Sequence, residues 1–173
     1  MLVRSAVLDD SEAISRIARD TFSMACPADT PAEELKRYIS ENLTPSCFQS
    51  ALLAPNQDVL VLEKARAVVG FSLINHTPET LGIVLADGIP ELTRCYVAAA
   101  HHGTGAAQYL MTATLAGVSN RIRLTVNDQN ARAIGFYQRN GFQTVGETSF
   151  QCGDDIHRDL VMVRSATNKD RNN

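Results

Sequence analysis

The chain has 173 residues, 45% of them hydrophobic and 20% charged, with a formal net charge of −3. That length and apolar content suit one domain with a substantial core, read as residues 1–166, ahead of a polar tail at 167–173 that reads as disordered. The mildly acidic balance gives no electrostatic reason to expect nucleic acid or an anionic membrane as partner, and it suits a cationic substrate better.

The first residues, Met1 to Asp10, lack the apolar core of a signal peptide, and no later run approaches the length of a membrane span. The cytoplasm is the expected compartment. Cys26, Cys47, Cys95 and Cys152 form no CxxC pair or zinc-ligand spacing, so they read as reduced packing residues.

Leu2 to Val7 predicts a first strand. Asp9, Asp10, Ser11 and Glu12 then supply capping residues and early acids for a helix running to about Cys26, with Ile14, Ile17, Ala18, Thr21 and Phe22 on its apolar face. A second helix starts at Thr30-Pro31, with Leu35, Tyr38 and Ile39 at helical spacing, and Pro45 interrupts before a shorter helical piece from about Cys47 to Leu53. Asp58–Glu63 and Ala67–Ile74, separated by Lys64-Ala65-Arg66, read as an antiparallel hairpin. His76 to Pro90 reads as a loop, Glu91 to Val97 as a strand, Gly103 to Gly117 as a helix and Arg121 to Val126 as a strand. A short helix from Asn130 to Arg139, a strand from Phe142 to about Cys152, a turn at Gly153-Asp154-Asp155 and a last strand through Leu160 and Met162 complete a single mixed α/β sheet.

The most informative stretch runs from Cys95 to Met111, where a strand passes through a loop of small residues into an amphipathic helix. Backbone N–H groups from Gly103 to Ala107 can approach an anion closely there, and the helix directs its positive dipole end at the same place. No Lys-Ser/Thr pair follows the glycines and the GxGxxG spacing is absent, so neither a nucleoside triphosphatase loop nor a dinucleotide fold is indicated. His101 and His102 are adjacent, diverge in direction and have no partner cluster, so no metal is expected.

Two motifs in order, with one strand between them, give the chain its family likeness. His102-Gly103-Thr104-Gly105-Ala106-Ala107 is similar to Gln/Arg-x-x-Gly-x-Gly/Ala, with His102 replacing the first residue, and Asn130, Ala133, Tyr137, Gly141 and Phe142 match Asn-x-x-Ala-x-x-x-Tyr followed by Gly-Phe. In these features the chain resembles the GNAT N-acetyltransferase superfamily.

The resemblance implies an α/β fold with a mixed, mostly antiparallel seven-stranded sheet, flanked by about four helices and splayed between strands 4 and 5. It implies acetyl-CoA as co-substrate, a primary amine as acceptor and a possible homodimer. The pantetheine arm would run along Cys95, Tyr96 and Val97, the amides of Gly103, Thr104, Gly105, Ala106, Ala107 and Gln108 would hold the pyrophosphate, and His102 would add a donor. Asn130 and Ala133 would shape the cofactor end of the second motif, and Tyr137 would protonate the departing thiolate. Arg132 stands as either a phosphate contact or a solvated side chain.

An aliphatic ammonium is only about a thousandth neutral at pH 7, so the amine's proton needs an acceptor. Strand alternation puts Glu91, Thr93, Cys95 and Val97 on one face and makes Glu91 the candidate base. The acceptor pocket is expected from 22–31 and 146–157. Thr21-Phe22, Tyr38-Ile39, Glu91-Leu92-x-Arg94-x-Tyr96-Val97, Gly146-x-x-x-Phe150-x-x-Gly153-Asp154 and Asp159-Leu160-x-Met162 resemble small-amine acetyltransferases of the polyamine type, and Asp29, Glu33, Glu34, Asp154 and Asp155 are acids able to attract a polycation. A protein N-terminus or lysine, and a CoA-binding module without turnover, are the alternatives.

Overall fold

Amphipathic spacing and turn chemistry settle most of the elements. In a computed structural model that describes residues 1–152 and 154–165, the chain forms seven strands and five α-helices among the described residues. The expected tail at 167–173 and the Gly153 of the expected turn lie outside them. Strand β1 (Leu2–Ser5) is followed by a single 3-10 turn and helix α1 (Ser11–Phe22), then α2 (Ala32–Asn42) and α3 (Pro45–Leu53). Proline begins α3 rather than interrupting ahead of it: the hydroxyl of Thr44 caps the helix by accepting from Cys47 N–H, and Pro45 has no N–H to leave unsatisfied at the first position.

Strands β2 (Gln57–Lys64) and β3 (Ala67–Asn75) form the expected hairpin, and β4 (Glu91–Val97) pairs antiparallel with β3. Helix α4 (Ala106–Ala116), β5 (Ile122–Asn127), α5 (Ala131–Arg139), β6 (Gln143–Cys152) and β7 (Asp155–Arg164) follow. The sheet order is β1-β2-β3-β4-β5-β7-β6, antiparallel throughout except between β4 and β5. The mixed sheet expected from sequence is present, with one helix more than the approximate count.

The two faces of the sheet carry separate cores. Ile14, Ile17, Ala18 and Phe22 of α1 pack with Phe48 of α3 onto Val59, Val61, Phe71 and Leu73. On the opposite face Leu110, Met111 and Leu115 of α4 and Phe142 cover Ile122, Leu124 and Met162. Ser72 and Thr114 share a buried hydroxyl hydrogen bond of 2.7 Å that ties α4 to β3.

One buried cation organises the middle of the sheet. Arg123 is 1% exposed, and its Nε donates to Glu91 Oε2 at 2.7 Å while its other nitrogens reach Asp87 at 3.3 Å and the carbonyls of Ala86 and Glu79 at 3.1 and 2.6 Å. Glu91 opposite Arg123 is also the single register pair of β4 with β5. The ion pair therefore stands at the vertex from which the two strands diverge, and the same guanidinium holds the 76–90 loop against the sheet. Removing one member of a buried pair strands the other charge in a low dielectric. Arg123→Met should lower unfolding free energy by about 3 kcal/mol, measured by urea denaturation with fluorescence and circular dichroism on the same samples.

Candidate active site

Beyond Glu91 the separation of β4 from β5 opens a cleft through the sheet, lined by Leu92 to Val97, by Thr125 to Asn127, and by side chains from both helical faces. An antiparallel ladder alternates the direction of its backbone groups. Ala98 N–H donates to Val69 O at 2.8 Å, so the N–H groups of Cys95 and Val97 point away from β3, toward the gap. Extended backbone with free donors and acceptors is thus presented to anything lying along Cys95, Tyr96 and Val97.

At the end of β4 the chain turns into α4. Gly103 and Gly105 take left-handed conformations, φ +75° and +83°, and a Cβ on either would meet nothing within 4 Å, so the loop leaves an open concavity above its backbone. The first N–H groups of α4 have no intrahelical partner and face the same side. His102 lines the cleft, but its Nε2–H donates to Val97 O at 2.7 Å and ties the loop back to the strand. Thr104 also turns inward to the loop, donating to His101 O, and Ala106 is fully buried beneath Val97, so neither side chain lines the cleft. Ala107 and Gln108 do line it. The amide of Gln108 pairs reciprocally with Asn140, at 2.7 and 3.2 Å, and links α4 to the end of α5.

Asn130 caps α5: its Oδ1 accepts from Ala133 N–H at 3.1 Å. From that cap Ala133 and Tyr137 fall on one helical face and line the cleft, with Arg132 and Arg139 beside them. Tyr137 packs edge-on to Phe142 at 5.8 Å, and burial beside Cys95 and Tyr96 raises its phenol well above the ordinary range. It is a protonated donor at every physiological pH. Burial pushes the Cys95 thiol up to about 12, so it is un-ionised and a poor nucleophile.

Glu91 does not stand where strand alternation predicts. The register passes from Leu73 opposite Arg94 to Ile74 opposite Leu92, so Thr93 is an extra residue in β4, a β-bulge. The bulge reverses the alternation. Leu92, Cys95 and Val97 pack with the α4 and α5 side, whereas Arg94 and Tyr96 join Glu91 on the α1 and α2 side. The carboxylate of Glu91 is held by Arg123 and does not line the cleft.

The cleft opens on the α1 and α2 side into an aromatic chamber. Phe22 stacks on Tyr38 with ring centroids 4.4 Å apart, Tyr38 meets Phe150 edge-on at 5.5 Å, and Phe150 stacks on His157 at 6.5 Å. Met24, Ala25, Cys26 and Pro27 complete the wall. Asp159 lies two residues from His157 on the same face of β7, opposite Asn127 on β5. It is 8% exposed, and its Oδ1 has no hydrogen-bond partner among the described residues, as is true of His157 Nε2. Burial raises the Asp159 carboxyl to about 6, against a lowering hydrogen bond from Asn127. Arg94 lines the chamber with its guanidinium in hydrogen-bonding reach of the Tyr38 and Tyr96 hydroxyls.

Asp159, His157 and Arg94 were not singled out as site residues from sequence. A lone Asp or Arg in a strand gives no local signal, although Phe150 and His157 fall in the segment expected to line the pocket. Of the acids expected to attract a polycation, Asp29, Glu33, Glu34 and Asp154 do not line the cleft. Among the described residues no group of three or more His, Cys, Asp or Glu side chains is placed to hold a metal, and no helix is long and apolar enough to cross a membrane.

Comparison with known proteins agrees with this geometry. Residues 26–157 match the family described as the acetyltransferase (GNAT) domain. An uncharacterized N-acetyltransferase of Mycobacterium tuberculosis is 31% identical over 161 residues, 91% of this chain and 98% of that protein, and the counterpart from Mycobacterium bovis matches equally. Among solved structures, the PaiA N-acetyltransferase of Thermoplasma acidophilum in complex with coenzyme A has a TM-score of 0.74 at 18% identity, covering 95% of this chain and 98% of that one. A GCN5-related N-acetyltransferase from Rhodopseudomonas palustris has a TM-score of 0.73 at 16% identity, covering 95% of each chain.

The Asp159 carboxyl binds its proton more tightly folded than unfolded, since its folded value of about 6 exceeds the ordinary 3.8. Its contribution to stability is therefore greatest below pH 3.8, falls as pH rises through 6 and is flat above. Asp159→Asn should gain on the order of 2 kcal/mol over the parent at pH 7.5, and the advantage should vanish toward pH 4 in paired denaturation curves.

Proposed function

The chain belongs to the GNAT acetyltransferase family, and from that premise we propose that it transfers the acetyl group of acetyl-CoA to a small primary amine by direct attack in a ternary complex. The observation that carries the reading is the cleft between β4 and β5. Open backbone on one wall, an anion cradle at Gly103 to Gln108 and a permanently protonated Tyr137 converge on it.

The fit to the donor can be argued group by group. The pyrophosphate lies over the left-handed Gly103 and Gly105 and takes hydrogen bonds from the first amides of α4. The pantetheine amides pair with β4 as an added strand would, and Val97 N–H polarises the thioester carbonyl. An un-ionised Cys95 argues against an acyl-enzyme and for direct attack.

The amine nitrogen bonds to the carbonyl carbon, the carbon–sulfur bond breaks, and the thiolate takes the Tyr137 proton. An ordinary thiolate is too weak a base to deprotonate so weak an acid. The burial that raises the Cys95 thiol also raises a thiol expelled beside it, which narrows the gap. Asp159 replaces Glu91 as the proton acceptor for the amine, directly or through one water, because it is the carboxylate that lines the cleft.

The contact of Tyr38 with Phe150 joins α2 to β6 across the acceptor chamber, which favours a small amine over a peptide threaded through an open groove. A polyamine is the finer expectation from sequence, yet the cleft lining offers it one acid, Asp159, and sets the cation Arg94 in the same chamber.

Thiol release from acetyl-CoA against a panel of polyamines, amino acids, aminoglycosides and peptides tests the reading. Release above background with none of them would reject an enzyme in favour of a CoA-binding module. Tyr137→Phe should lower kcat by about 10²- to 10⁴-fold with little change in KM for acetyl-CoA, whereas Gly105→Val should raise that KM. Because Asp159 accepts a proton only when ionised, kcat/KM should fall as pH drops through about 6. Asp159→Asn should remove that limb along with most of the rate.

A further inference from the structure

Arg94 is the cation of the acceptor chamber, and its surroundings differ from those of the ion-paired arginines. Arg4, Arg37, Arg123 and Arg158 each have a carboxylate within ion-pair distance. Arg94 is partly buried and has none among the described residues. Its neighbours are two phenol hydroxyls, from Tyr38 on α2 and Tyr96 on its own strand. Phenols orient a guanidinium without neutralising it, and a cation withdrawn from water without a counter-ion is costly.

The donor does not supply that counter-ion. Its phosphates belong to the loop at Gly103 to Gln108 on the α4 side, where Arg132 and Arg139 also line the cleft. The bulge at Thr93 turns Arg94 to the opposite face, toward Phe22, Tyr38 and Phe150. On that face Asp159 offers an unpartnered buried oxygen, so the chamber displays one fixed negative and one fixed positive group on separate strands.

We propose that the acceptor is a primary amine that also carries a carboxylate, an amino-acid-like molecule whose nitrogen is received at Asp159 and whose carboxylate is received by the guanidinium of Arg94. This rests on the acetyl-transfer reading and specifies its substrate class. A planar fork of donors is the group best matched to a carboxylate in bidentate geometry, and the tyrosine hydroxyls lie beside it. A diamine offers Arg94 a like charge instead.

Matched pairs of acceptors differing only in the carboxylate provide the test: phenylalanine with phenethylamine, tryptophan with tryptamine, lysine with cadaverine, and the amide of each acid. The expected result is a kcat/KM at least about tenfold higher for the acid than for its partner amine. The preference should collapse in Arg94→Gln, survive in part in Arg94→Lys, and leave KM for acetyl-CoA unchanged in both. Equal or better turnover of the decarboxylated amines overturns the proposal, as does an Arg94→Gln variant that lowers both members of each pair alike. Tyr38→Phe keeps the guanidinium and removes one orienting hydroxyl, so it should reduce the preference even if Arg94→Gln fails to fold. If no amine on the panel is acetylated, the acetyl-transfer reading fails, and calorimetric titration of the same acids into CoA-saturated protein then decides the site. Binding that needs both the carboxylate and Arg94 sustains it, and absence of binding overturns it.

Discussion

The buried pairing of Arg123 with Glu91 is the constraint on which the rest of the molecule depends. Parallel neighbours normally share a continuous ladder, yet β4 and β5 meet at one register pair, and an ion pair buried at that point does the work of the missing hydrogen bonds. Because the guanidinium also takes carbonyls from the 76–90 loop, it holds the vertex of the splay from both sides. Everything beyond the vertex follows from the divergence: β4 keeps unpaired backbone, β5 ends at Asn127, and a cleft opens between them.

The bulge at Thr93 then distributes the chemistry. Without the extra residue, Glu91 and Cys95 would share a face and Arg94 would lie with Leu92 under the opposite helices. With it, Cys95 and Val97 join the side of α4, α5 and Tyr137, while Arg94 and Tyr96 turn toward α1 and α2. Side chains of the two helical faces are thereby sorted onto opposite faces of one strand, and the cleft is the passage between them. The same geometry leaves two buried polar atoms, on His157 and Asp159, without hydrogen-bond partners among the described residues, both where the cleft opens on the α1 and α2 side.

How far the site was legible follows the range of the interactions that build it. The loop from His102 to Gln108 and the cap-to-tyrosine spacing of Asn130, Ala133 and Tyr137 are local: glycine at left-handed φ, an Asn at an N-cap and residues on one helical face are determined by neighbours within a few positions. Those features read correctly from the chain. Glu91 was expected on the face of Cys95 because alternation assumes an unbroken pleat, and no glycine or proline marks the bulge that moves it to the other face. Arg94 and Asp159 entered the sequence reading only as members of short family-like stretches, with no role assigned, because the face each takes is set by strand pairing.

By itself, then, the sequence determined the order and kind of elements, the glycine loop ahead of α4 and the placing of Tyr137 on the face of α5 that follows its cap, all of which rest on short-range backbone and capping rules. The tertiary structure alone decided which carboxylate lines the cleft and which is spent on an arginine. A side chain's destination in a sheet depends on register, bulges and the pairing of distant strands, and the energies that set these are cross-strand contacts that no local stretch of residues contains.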